Sequence, residues 1–271
     1  MLWYRINNTY TMESSQIQSV VLENSVLRLK PLPSITKLFS EAWRFVKKHK
    51  NVAFWYSLIV ALLSTVTVID DTLKDTPMEY GTYGLGVGVA KIVLAVLALI
   101  NTVALLHAVH QTGDSISYKV SLDWGMKNFF PLLWTSIVTG LVILCGLILF
   151  VIPGIIALVF FYFTQFAFYH ERAIGTKALK ASYRVVKGRW WGVFGKILLL
   201  LLIFIGLSFF INIAYGIIGF LGEAMPVIIF QEFVTQFAFG VVGVMVIYTI
   251  ARLYESLRPQ SEPAGEVLTN I

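Results

Sequence analysis

Charge is the scarcest property of this sequence. Only 13% of the residues are Asp, Glu, Lys or Arg, about half the share of a soluble globular domain. By contrast 57% are hydrophobic and the mean hydropathy is +0.76, a balance that excludes water as the chain's main solvent. Cysteine is nearly absent as well. Cys145 stands alone, so no internal disulfide can form, and its place inside an apolar run reads as a small packing residue. Strands of alternating apolar and polar residues are missing too, and continuous runs such as Ile197 to Ile205 exclude a transmembrane β-barrel. Residues 1–33 carry Asn7, Asn8 and Gln16 but no charged start followed by an apolar core, so a polar tail without signal cleavage is expected. Asn7 to Thr9 matches a glycosylation sequon, a short pattern that carries no weight on the side where the topology below places it.

What is present is long apolar blocks. Lipid offers the backbone no hydrogen-bond partners, so each block must be a helix, and about 20 residues at 1.5 Å each cross a core of roughly 30 Å. Four blocks separate directly, at about 52–69, 86–109, 190–220 and 227–251. The stretch 130–170 is about twice the core thickness as one helix. It must fold back, and Ile152, Pro153 and Gly154 near its middle supply a helix start and a tight turn. Spans at 130–152 and 154–170 follow. The expected fold is all-α: six transmembrane helices over 34–254, with a C-terminal tail at 255–271.

Basic residues set the orientation, since Lys and Arg favour the cytoplasmic side. With six spans, Arg5, Arg28, Lys30, Lys37, Arg44, Lys47, Lys48, Lys50, Lys119, Lys127, Arg172, Lys177, Lys180, Arg184, Lys187, Arg189, Arg252 and Arg258 share one side. The other side receives Lys74, with Asp70, Asp71, Asp75, Glu79 and Glu223. Both termini are therefore expected in the cytoplasm. The net charge of +6 lies along membrane-flanking segments, which points to anionic lipid headgroups rather than nucleic acid.

Before the first span, Ile35, Leu38, Phe39, Ala42, Trp43 and Val46 share a helical face, with Lys37, Glu41, Arg44, Lys47 and Lys48 away from it. The pattern returns at Gly175, Ala178, Leu179, Ser182, Tyr183 and Val186, with Arg184 and Lys187 in the basic places, and Trp124 gives a weaker echo of Trp43. The unit is a cytoplasmic amphipathic helix followed by two spans, occurring three times as an internal repeat.

The segment Gly146 to Gly195 carries the most specific pattern. It runs Ile152-Pro153-Gly154-Ile155-Ile156, then Glu171, then Ser182-Tyr183-Arg184-Val185-Val186-Lys187-Gly188-Arg189-Trp190-Trp191-Gly192-Val193-Phe194-Gly195. It resembles the glycerophosphoryl diester phosphodiesterase membrane-domain family and related uncharacterised six-span bacterial proteins. That resemblance implies a bacterial inner membrane. It implies no phosphodiesterase activity, which in that family belongs to a separate soluble barrel of a size this chain has no room for.

Few residues suggest chemistry. His107, His110 and Asp114 share a helical face at the end of the second span, and His170 ends the fourth. Together they suggest metal ligands, although interfacial histidines more often hydrogen-bond to headgroups or neighbouring helices. Lys91, Lys196 and Glu232 are charged residues inside spans. Lys196 can snorkel, while Lys91 and Glu232 lie at matching depth and suggest an ion pair, structural rather than a transport gate. Gly84 with Gly88, and Gly216, Gly219 and Gly222, have spacings that let helices approach closely. Gln165, Gln231, Gln236, Asn101 and Asn212 either line a polar path or bond across helices. Lys47, Lys48, Lys187, Arg189, Trp190 and Trp191 are the expected interfacial lipid contacts.

These readings predict a non-enzymatic membrane scaffold, assembly or lipid-associated protein without cofactor or metal. Its expected partners are membrane lipids and a further protein or a second copy. The alternative is a transporter or lipid translocator.

Overall fold

A computed structural model describes residues 32–73, 80–111, 116–219 and 225–258. The expectations placed on residues 1–31, Lys74, Asp75, Glu79, Asp114, Gly222, Glu223 and the tail from 259 lie outside them. Among the described residues the elements are α1 (Ile35–Lys48), α2 (Lys50–Leu73), α3 (Tyr80–His110), α4 (Tyr118–Lys127) and α5 (Phe129–Leu149). They continue with α6 (Val151–Phe161), α7 (Thr164–Glu171), α8 (Thr176–Val186), α9 (Trp190–Gly219) and α10 (Met225–Leu257). The fold is all-α. Six segments are long and apolar enough to cross a membrane: Lys50–Thr67, Gly88–His110, Phe129–Leu149, Val151–Glu171, Trp190–Ile217 and Pro226–Leu257. A short helix precedes each successive pair of spans, α1, α4 and α8 in turn.

α1 begins where the Ser34 hydroxyl accepts the Lys37 backbone N–H, and it ends with Lys47 and Lys48 in a last turn whose dipole favours cations. Its buried stripe is Ile35, Leu38, Ala42 and Phe45. That stripe packs on α10, where the Phe45 and Tyr248 rings lie 4.6 Å apart. Trp43, expected on the apolar face, is instead exposed, with the Lys47 ammonium 5.2 Å from its ring.

α10 is the hub, packing against α2 most extensively and also against α1, α3, α8 and α9. Close approach is allowed by Gly240, where an added Cβ would fall 2.6 Å from Ser57 Cα. Other small residues serve the same purpose. A Cβ at Gly125 of α4 would meet the Ile100 carbonyl of α3 at 3.1 Å. Two of the glycines singled out by spacing do not work this way, since Gly88 and Gly216 have nothing within 4 Å of a Cβ position.

The fold-back between the third and fourth spans falls at Phe150, whose extended backbone (φ −163°, ψ 149°) separates α5 from α6. Pro153 sits in the first turn of α6, where its missing N–H costs no helical bond. Gly154 is helical rather than the turn itself. Its role is proximity, since a Cβ there would fall 2.9 Å from Leu147 Cα. The fourth span is interrupted at Tyr162 and Phe163, and α7 beyond the break packs against α5 and α8. α8 is fixed by the Ser182 hydroxyl donating to the Phe160 carbonyl at 2.7 Å and by Thr135 Oγ1 accepting the Gly175 N–H at 3.0 Å.

Burial is uneven. Of the fifth span only 6% is buried inside the protein and of the third 11%, so Ile148, Phe209 and Phe210 face outward, as side chains do where lipid is the solvent. Cys145 is among the exposed residues, not the packed ones.

Gly240→Val should cost about 1–3 kcal/mol by overpacking the α2–α10 contact. Gly216→Val, which makes the same chemical change in open space, should leave stability unchanged. Thermal unfolding of both variants in mild detergent checks the difference.

Candidate functional site

The short helices α1, α4 and α8, the starts of α2, α5 and α9, and the ends of α3, α7 and α10 meet at one end of the bundle, here termed the basic end. The residues expected to touch lipid lie there. Lys47 sits over Trp43, and Lys187 is exposed with its ammonium 5.9 Å from the Tyr183 ring. Lys48 is exposed and Arg189 half-buried. Trp190 stacks on Phe194 at 5.1 Å, leaving Trp191 77% exposed at the start of α9. Lys196, one turn further in, donates to the Pro33 carbonyl at 2.6 Å. That bond ties the approach to α1 onto α9 beside a cavity of about 640 Å³.

A second cavity of about 480 Å³ opens between α3, α5, α6, α7 and α10. Leu99, Leu106, Leu132, Leu158 and Ile250 give it apolar walls, while Thr102, Ser136, Thr139 and Gln165 add scattered hydroxyl and amide groups. No charged residue lines it.

The polar side chains inside the spans mostly bond to other helices or to their own backbone. Asn101 is 1% exposed. Its amide donates to the Tyr56 carbonyl at 3.3 Å and its Oδ1 accepts the Tyr118 hydroxyl, joining α3 to α2 and α4. Burial pushes the Tyr118 phenol above its ordinary range, with Tyr56 nearby adding to the shift, so Tyr118 stays a proton donor. Gln231 donates to the Tyr215 carbonyl, joining α10 to α9. Gln165 reaches Ser136 at 3.5 Å, and Asn212 bonds back to the Ser208 carbonyl within α9. Glu232 Oε1 accepts from Ser64 Oγ at 3.1 Å and Gln236 Nε2 at 2.8 Å. These partners are neutral side chains on α2 and on α10 itself. Lys91, half-buried on α3, is not among them.

The histidines divide. His107 stacks on Trp124 at 4.7 Å, with Nδ1 3.2 Å from Ser121 Oγ and 3.0 Å from Gln111 Nε2, so it serves the α3–α4 contact. His110 turns instead toward His170, their ring centroids 4.8 Å apart, within a group that includes Tyr169, Phe166 and Tyr254. Glu255 lies beside this pair. Sequence spacing along α3 suggests His107 as a companion of His110, but only the packing of α10 against α3 brings in Glu255.

No family model, curated protein or solved structure matches the chain.

Removing the amide in Asn101→Ala should cost about 1–3 kcal/mol, because the buried Tyr118 hydroxyl loses its acceptor. Asn212→Ala, which removes only an intrahelical back-bond, should stay close to wild type in the same detergent unfolding measurement.

Proposed function

We propose that the protein is a non-enzymatic, lipid-associated membrane protein whose basic end engages the anionic leaflet of a bacterial inner membrane, with both termini on the cytoplasmic side. The observation that carries this reading is the surface of the basic end. Lys47 against Trp43, Lys187 against Tyr183 and the exposed Trp191 combine ammonium groups with interfacial aromatic rings. Such rings favour headgroup depth, and each basic residue there contributes about 1 kcal/mol toward an anionic surface.

The cavity of about 480 Å³ supports the same reading. Apolar walls with a few neutral polar groups suit an acyl chain better than a hydrated or charged solute. A second reading, lipid translocation, draws on Thr102, Ser136, Thr139 and Gln165, which give that cavity a polar component a passive anchor does not need. The Gly146–Gly195 motif links the chain by resemblance to membrane domains of the glycerophosphoryl diester phosphodiesterase type, which fits a lipid setting without lending a catalytic residue.

Native mass spectrometry in mild detergent tests the proposal with equal amounts of phosphatidylglycerol and phosphatidylcholine. Wild type should retain the anionic lipid preferentially. Changing Lys47, Lys48, Lys187 and Arg189 together to Gln should cut that preference by about tenfold or more, and an unchanged preference removes the reading. Gly140→Trp, which fills the cavity, should reduce retained lipid of both kinds. Transbilayer movement of a labelled phospholipid in proteoliposomes, faster than in empty vesicles, would move the reading to translocation.

A further inference from the structure

Three spans deliver polar side chains to one point at the basic end. α3 ends on His110, α7 carries His170 next to its last residue, and the final turn of α10 brings Glu255. One nitrogen or oxygen from each lies within 4.8 Å of the other two, and all three residues are half-buried.

Hydrogen bonding fixes what the rings offer. His110 Nδ1 lies 2.6 Å from the Leu106 carbonyl, which can only accept, so the proton is on Nδ1 and the lone pair is on Nε2. That Nε2 is buried and has no hydrogen-bond partner. A ring nitrogen held by a backbone carbonyl while the other presents its lone pair is the usual arrangement of a metal-bound histidine. His170 Nε2 is also buried without a partner. Glu255 is oriented by Arg252, whose Nη1 donates to Oε2 at 2.7 Å, as ligating carboxylates commonly are.

We propose that His110, His170 and Glu255 form a binding site for a divalent transition-metal ion of the zinc class, clamping α3, α7 and α10 together. Two imidazoles with one carboxylate suit zinc, whereas calcium and magnesium favour all-oxygen sets. Tetrahedral zinc at about 2.0–2.1 Å from each donor places the donors about 3.4 Å apart. The present spread of 4.8 Å must therefore contract, by about 1.4 Å through side-chain rotation, with water completing the coordination.

Arg258 opposes this closure and thereby supplies the test. Its Nη1 lies 3.2 Å from His170 Nδ1. A guanidinium only donates, so without metal the neutral His170 ring carries its proton on Nε2. For Nε2 to ligate, that proton must pass to Nδ1 and Arg258 must withdraw. Arg258 therefore competes with the ion both as a donor and as a like charge.

The experiment uses the full chain, free of any histidine tag, in mild detergent. Zinc is added, gel filtration removes the excess, and the bound metal is measured by plasma mass spectrometry, with cobalt absorption reporting geometry. Wild type should hold about one zinc per chain, and His110→Ala, His170→Ala and Glu255→Gln should each weaken binding by at least about tenfold. Arg258→Gln should tighten it, whereas His107→Ala should change nothing. Circular dichroism and elution volume establish that each variant is folded, and the wild-type stoichiometry and Arg258→Gln do not depend on the ligand variants folding. Sub-stoichiometric zinc in wild type, the outcome expected if an ordered water bridges the two imidazoles, overturns the proposal. So does equal loss in His107→Ala and His110→Ala, or weaker binding in Arg258→Gln. The lipid reading is measured by lipid adducts, so either proposal can fail without the other.

Discussion

At Gly240 the last span lies against the first so closely that a Cβ would fall 2.6 Å from Ser57 Cα. Lipid gives helices no hydrophobic reason to associate, so contact of this kind, where backbones meet through small residues, has to supply the attraction. The rest of the arrangement hangs on it. Because α10 is held against α2, Tyr248 reaches Phe45 of α1 and Tyr254 reaches Phe163 at the break in the fourth span. The same placement sets Glu255 next to His110 and His170.

Polar residues refine what small residues permit. Asn101, Gln231 and Ser182 each bond to a neighbouring helix in a medium where an unpaired polar group is costly. At the basic end the economy changes. There ammonium groups lie over aromatic rings and reach water, while the imidazoles just inside retain buried nitrogens without partners. The exposed basic surface and the histidine group are thus neighbours built on different chemistry. One is an exposed array of charge, and the other a half-buried donor set drawn from three spans.

Much of the fold is legible from composition and length. Six spans follow because each apolar block can satisfy its backbone only as a helix about as long as the bilayer is thick; the spans start close to the expected positions, but the sixth runs on to Leu257, into the stretch expected as a tail. The position of the fold-back was legible within a few residues from Pro153, but not the role of Gly154, which depends on Leu147 across the hairpin. Glycine spacing along one helix misled for the same reason. Gly88 and Gly216 face open space, and the glycine that matters, Gly240, is identified only by Ser57 opposite it.

The sequence by itself determined the solvent, the number of spans and the short helix before each pair, because these depend on hydropathy and residue spacing within single segments. It also named the basic and aromatic residues of the short helices. Only the tertiary structure decided which polar groups meet. His107 and His110 are three residues apart, yet one joins Trp124 and the other joins His170 and Glu255. That division arises from how α4, α7 and α10 pack around the end of α3. Local pattern fixes which face of a helix a residue occupies, but the chemistry of a site depends on what another helix, distant in sequence, brings against that face.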